Sequence, residues 1–469
     1  MMDSKISSSA AIATASPGLH RIQPSVTATS IPSAMDRIPL EIAAMIVGNL
    51  LEYDLALGPT SQYTEQPSDK LVSFGKRKED MVTSWMMFTE CTRLAVLSAR
   101  LSCRKLYAAS SKAFATLLGD RTFRLTEVGT NDLRAIGQDA RLTPYVTTLT
   151  IGCTGFCSII DAVDTLNAAL ASLQTRDRNR LLESYKACVK WQSDNKPHFG
   201  TILVSLLKAF PKLDTIRIDR NYDLTTHVSG WLQAGDADLL HRYFHNPNEK
   251  NDRNFRFGTP FAFSTAVVGC HTVLEAVDKA NVVLRDLRIS GVYMPPYTEN
   301  IPFQTLRTLR IRLMAQSGVD MNDAITKLSV HLSGAQNLQD LALNGDYHPY
   351  QDSSRILNAL SGHTNLQRIS LIGSWVLYEQ NLISFVSAHA HSLQCIIFEG
   401  SILSGCWRTV LRTISRLTHG SLRFFRAQGL RTMLKRVPRA VYETDITDAD
   451  FASFSCPVEW VPRFERVDN

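Results

Sequence analysis

The sequence predicts an α/β protein in which a short helical module precedes an irregular solenoid of strand and helix units built on a parallel sheet. Three observations carry that prediction. One spacing of apolar residues recurs through the second half of the chain, amphipathic helical stripes fill the intervals between its occurrences, and a proline-led apolar helix stands near the start.

The organising stretch is residues 303–313, FQTLRTLRIRL, where Leu306, Leu309 and Ile311 spell L-x-x-L-x-L. The spacing returns as Leu213, Ile216, Ile218; Leu284, Leu287, Ile289; Leu338, Leu341, Leu343; Leu366, Ile369, Leu371; and Leu393, Ile396, Phe398, with a weaker Val146, Leu149, Ile151 upstream. Alternate residues of extended backbone share a face, so each occurrence predicts a short strand with that face buried. From Leu284 through Leu306, Leu338 and Leu366 to Leu393 the first leucines stand 22, 32, 28 and 27 residues apart, room for a helix in each interval. This pattern is similar to that of leucine-rich repeats, which implies strands on one side of each turn of chain and helices on the other.

The intervals read as helices. Ile325, Leu328 and Leu332 precede the strand at Leu338; Ile356, Leu357 and Leu360 precede Leu366; Leu382, Ile383, Phe385 and Val386 precede Leu393; Val410, Leu411, Ile414 and Leu417 precede a last, poor repeat at Leu422 and Phe425. Upstream, residues 165–182 carry a helical period continued by Tyr185, Val189 and Trp191, and residues 201–210 lead as a helix into the strand at Leu213. Residues 221–283 show no clear strand and are expected to hold degenerate repeats or an excursion loop.

At 469 residues, 44% hydrophobic and 20% charged, the chain has material for roughly two or three structural units. A net charge of +6 with interleaved signs indicates neither nucleic-acid nor membrane binding. The basic run Arg423, Arg426, Arg431, Lys435, Arg436 and Arg439 reads as a solvated face. No run of ~18 apolar residues is present, so no membrane span is expected. Residues 1–34, rich in Ser, Ala and Thr, lack the apolar core of a secretory signal and are expected to form a disordered tail. Nine cysteines without a C-x-x-C pair fit reduced thiols and a cytoplasmic or nuclear location. Cys153 and Cys157 lack a second pair at ligand spacing, and His241 and His245 lack the Glu of H-E-x-x-H, so no metal site is expected. Phosphate-loop, dinucleotide and nucleophile-elbow motifs are absent as well, and neither a cofactor nor catalysis is expected.

Near the start, residues 36–50 read DRIPLEIAAMIVGNL. Pro39 suits a first helical turn, with Asp36 ahead as a cap and Glu41 in the positive first turn. Ile38, Leu40, Ile42, Met45, Ile46 and Leu50 put apolar residues on more than one face, and such a helix must be covered by its own domain or by another protein. Residues 38–42, Ile-Pro-Leu-Glu-Ile, with Ile46 and Leu50 resemble the opening of an F-box, and residues 94–107, LAVLSARLSCRKLY, resemble its closing helices as fungal members carry them. Residues 114–151 resemble the passage from that module into a first repeat. The sequence departs from the family in an insertion near 57–91 between the two halves.

The resemblance implies four regions: a tail at 1–34, an F-box-like module at 35–118, leucine-rich repeats at 119–430, and a C-terminal cap or tail at 431–469. It also implies a substrate-recognition subunit of a cullin-based ubiquitin ligase. Ile38, Pro39, Leu40, Ile42, Ile46 and Leu50 would contact the Skp-type adaptor, and Leu97, Leu101 and Leu106 would touch it or pack the module. The competing expectation is a repeat scaffold without a ligase, its N-terminal helix capping the array.

A target surface is expected on the strands. The position between the two inward residues reads Arg217, Arg288, Arg310, Ala342, Ser370 and Ile397 down the array. Three stacked arginines either repel or are neutralised by Asp219, Asp286 and Asp340 on the same face. Left unpaired, they suit an acidic or phosphorylated partner. Tyr293, Tyr347, Tyr350 and Trp375, in loops leaving the strands, either join such an interface or pack on the scaffold.

Overall fold

Leucine and isoleucine at alternate positions make extended backbone apolar on one side, and parallel pairing stacks those sides into one wall. In a computed structural model of the chain, the described residues are 38–51, 90–153, 175–219, 228–229, 270–290, 303–313, 321–345, 351–433, 441–443 and 446–461. A boundary between Pro39 and Leu40 divides the chain, and the elements that follow belong to the second unit.

Four helices come first: α1 (Leu40–Gly48), α2 (Glu90–Ser102), α3 (Arg104–Ala109) and α4 (Ser111–Leu117). Strands and helices then alternate as β1 (Thr122–Arg124), α5 (Glu127–Gln138), β2 (Thr148–Gly152), α6 (Thr175–Asn195), α7 (Phe199–Leu207), β3 (Thr215–Asp219), β4 (Val228–Ser229), α8 (Cys270–Lys279), β5 (Asp286–Ser290), β6 (Thr308–Leu313) and α9 (Met321–Gly334). The last third runs β7 (Asp340–Gly345), β8 (Gln351–Asp352), α10 (Ser354–Leu360), β9 (Arg368–Gly373), β10 (Trp375–Tyr378), α11 (Glu379–Ala388), β11 (Cys395–Glu399), β12 (Ile402–Ser404), α12 (Trp407–Leu417), β13 (Phe424–Gln428), β14 (Arg431–Met433), β15 (Val441–Glu443) and β16 (Val458–Val461).

Eleven described strands form one open sheet, ordered β16-β13-β11-β9-β7-β6-β5-β3-β2-β1-β4, with every neighbour parallel. The register follows the leucine spacing: Leu287 lies opposite Leu309, Leu309 opposite Leu341, and Leu341 opposite Ile369. Their inward side chains are buried, as are Ile325, Leu328 and Leu332 of α9, Ile356, Leu357 and Leu360 of α10, and Val410, Leu411 and Ile414 of α12, so sheet and helices share one continuous core. The helix at residues 201–210 expected from sequence is observed as α7, which starts two residues earlier. Strand β4, in the interval that showed no strand signal, pairs with β1 at the sheet's first edge.

A second sheet, ordered β15-β14-β12-β10-β8, was not expected from the sequence. After β9, β11 and β13 the chain turns a corner at Gly373, Gly400 and Gly429, with φ of +99°, +66° and +56°, and enters β10, β12 and β14. Only glycine takes such angles without Cβ strain. At the far end, Phe425 is covered by Phe454 and Phe451, with ring centroids 4.8 and 6.1 Å away, and Trp460 of β16 lies tilted against Phe451 at 5.1 Å.

Two buried histidines meet at the end of α10, and one of them joins it to α11. The Leu360 carbonyl lies 3.1 Å from His363 Nδ1 and 3.0 Å from His389 Nε2. Burial holds His389 below its ordinary value of 6.5. The unfolded chain therefore takes up a proton first, and stability present above about pH 6.5 falls as pH drops from there through the folded value. His389→Gln keeps an amide donor for Leu360 and does not titrate. Unfolding free energies from urea titrations between pH 8 and 5 are expected to fall less steeply for the variant, by at most about 1.4 kcal/mol per pH unit.

Candidate functional site

Helix α1 turns its small residues inward. Ala43 and Val47, four apart, are buried, and Val47 packs with Val96 of α2 and Ala113 and Leu117 of α4. The large residues of the helix and of the turn after it are left outside: Leu40, Ile42, Met45, Ile46 and Leu50 are each 36–63% exposed. Pro39 is exposed too, and Ile38 is half-buried. Helix α2 repeats the arrangement, with Val96 buried while Leu94, Leu97 and Leu101, at helical spacing, are exposed, Leu101 at 84%. Leu106, by contrast, packs inside the module.

Arg100 locks these helices together. Its guanidinium stacks 3.8 Å over the Tyr107 ring and 4.5 Å over Phe114, and donates to the Tyr107 carbonyl at 3.2 Å. Cys103 caps α3 by accepting from the Leu106 amide. Helix α2 begins at Glu90, so it takes in the last two residues of the insertion expected near 57–91, while residues 57–89 lie outside the described ones.

Of the two expectations for the strand face, the paired one is observed. Thr150, Arg217, Arg288, Arg310, Ala342, Ser370, Ile397 and Arg426 do fall in one register across β2, β3, β5, β6, β7, β9, β11 and β13. All eight are buried, however, so Arg217, Arg288 and Arg310 offer no open surface to a partner. Arg217 donates to the Gly119 carbonyl at 3.1 Å, Arg288 pairs with Asp286 at 2.7 Å, and Arg310 pairs with Asp340 at 2.6 Å. Asp340 also meets Arg368 at 3.2 Å, and Arg426 pairs with Glu399 at 2.9 Å. Burial pushes the Asp340 carboxyl up, yet Arg310 and Arg368 outweigh it and hold the group below its ordinary 3.8. The column is an internal ion-pair ladder, and neutralisation by Asp286 and Asp340 is what the sequence offered as the other reading.

Trp375 likewise belongs to the core. It lies on β10 with 0% exposure, its indole N–H donating to the Ile372 carbonyl at 3.0 Å. Tyr293, Tyr347 and Tyr350 lie outside the described residues, as do Cys157, His241 and His245. Among the described residues no group of three metal-ligating side chains occurs, and no helix is long and apolar enough to cross a membrane. The residues expected from sequence to contact an adaptor omit Met45 and Leu94, which share this exposure. The signal was there, since Met45 continues the Ile42 and Ile46 face at helical spacing.

No protein-family model matches this chain, and no curated protein matches it significantly.

Proposed function

We propose that this chain is the substrate-recognition subunit of a cullin-based ubiquitin ligase of the Skp/cullin/F-box type, with an F-box module at α1 to α4 and a leucine-rich-repeat solenoid behind it. The supporting observation is the open apolar face of α1. A helix that caps an array is covered by its own chain, whereas Leu40, Ile42, Met45, Ile46 and Leu50 are exposed together. A partner that covers such a group removes its apolar area from water, which favours association. In this reading the adaptor covers α1 and the Leu94, Leu97 and Leu101 stripe of α2, the repeats hold a target protein, and ubiquitin transfer belongs to other subunits. The chain itself is then a binding protein without catalysis, working in the cytoplasm or nucleus.

Co-purification of the full chain with a Skp-type adaptor tests this, wild type against Leu40→Asp with Ile42→Asp. Both side chains are exposed, so the variant is expected to keep its circular dichroism spectrum and lose the adaptor. No adaptor on the wild type would sink the receptor reading and leave the repeat scaffold.

A further inference from the structure

Beside the buried ladder runs an outer row that none of the expected sites includes. It consists of the residues just before each strand: Asp214, Arg285, Arg307, Gln339, Gln367, Gln394 and Arg423. Their backbones form a staircase in which each carbonyl receives two amides of the next unit. Arg285 O accepts from Arg307 and Thr308 at 2.8 and 3.0 Å, Arg307 O from Gln339 and Asp340 at 2.8 and 2.9 Å, and Gln394 O from Arg423 and Phe424 at 2.8 and 3.0 Å. The row is therefore held at strand spacing, ~4.8 Å per step.

From Arg285 onward its side chains are free where those of the ladder are engaged. Arg288, Arg310, Arg368 and Arg426 each have a carboxylate partner. Arg285, Arg307 and Arg423 are exposed and make no side-chain hydrogen bond or ion pair, and neither do the three glutamines between them. At the first end Asp214 is occupied by the Thr215 hydroxyl, 3.0 Å away. The row thus carries two adjacent free guanidinium groups, three free amides and a third guanidinium. Arg307 and Arg423 are four strand steps apart, ~19 Å.

We propose that this row is a docking strip for an extended acidic segment of a polypeptide. Guanidinium groups take carboxylates bidentately, and glutamine amides both donate and accept, matching the alternating groups of a peptide backbone. A chain extended at ~3.4 Å per residue covers ~19 Å in about six residues, so the strip fits acidic residues about six positions apart with neutral residues between. Taking that segment for part of a ligase target rests on the receptor reading above; the binding itself does not involve the adaptor.

The test is fluorescence anisotropy with the full chain and a labelled twelve-residue peptide of Glu and Ser, against the same peptide with Lys for Glu. The Glu peptide is expected to bind, more weakly as salt rises, and the Lys peptide not to. Arg285→Glu with Arg307→Glu is expected to weaken binding about tenfold or more, the effect of losing at least one charge-assisted contact. Arg412→Glu with Arg416→Glu, on the exposed side of α12, makes the same change in net charge and is expected to leave binding as it was. Absent binding of the Glu peptide, equal binding of the Lys peptide, or equal loss in the two variants would overturn the strip. None of those results touches adaptor co-purification, so the two proposals fail separately.

Discussion

Replacing Asp340 by alanine is expected to lower stability by about 3–5 kcal/mol, because removing one partner of a buried ion pair leaves the other charge uncompensated. Asp340 holds two guanidinium groups, Arg310 at 2.6 Å and Arg368 at 3.2 Å, and all three side chains are at most 14% exposed. Urea unfolding followed by circular dichroism measures the loss. Lys186→Ala is the comparison, since its pair with Glu183 lies on an exposed helix surface and is expected to be worth less than about 1 kcal/mol. Equal midpoints for the two variants would show that the ladder is neutral. The sign of the acid response follows from the depressed carboxyl: Asp340 contributes stability above about pH 3.9, its unfolded value, and that contribution fades as pH falls through the lower folded one. The alanine variant is expected to lack that part of the acid transition.

The second large effect is expected at the corner between the two sheets. A Cβ on Gly373 would sit 1.8 Å from the carbonyl oxygen of Gly345, its register partner on β7, at a φ of +99°. The obstacle is backbone within a paired strand and cannot rotate aside. Left-handed strain of ~1–2 kcal/mol and crowding of ~1–3 kcal/mol together put Gly373→Ala at about 2–5 kcal/mol. Gly420 isolates the first part, since it has φ of +86° with open space around its would-be Cβ. Gly420→Ala is expected to lose only about 1–2 kcal/mol, and equal losses at the two glycines would show that the corner is not tight.

The main sheet was legible because its signal is redundant. Leucines at L-x-x-L-x-L fix both face and register, and six such stretches predicted that Arg217, Arg288, Arg310, Ala342, Ser370 and Ile397 align. Their burial was not legible, since it depends on which carboxylates arrive from neighbouring strands: Asp340 reaches Arg310 from β7, not from β6 itself. The second sheet escaped because its strands are two to four residues long and begin where a loop is expected. Its trace in the sequence is a glycine repeated at 373, 400 and 429, each shortly ahead of a β-strand. Trp375 was read as a loop aromatic for the same reason. The open face of α1 was half legible: spacing put apolar residues on more than one face and the resemblance named the contacts, but which side turns inward was decided by Ala43 and Val47, the small ones.

That inversion has an energetic consequence. Among the described residues, the apolar cluster beneath α1 consists of Val47, Val96, Ala113 and Leu117 with Leu51, Ala99, Leu106 and Phe114 partly buried against it, far smaller than the core of the sheet. A helix fastened by a cluster of that size is expected to open locally at a smaller free energy than the strands, its amides exchanging with solvent before theirs. A protein covering α1 would then do two things at once: it would remove the large side chains from water and stabilise the closed form of the helix, so part of its affinity would go into that order.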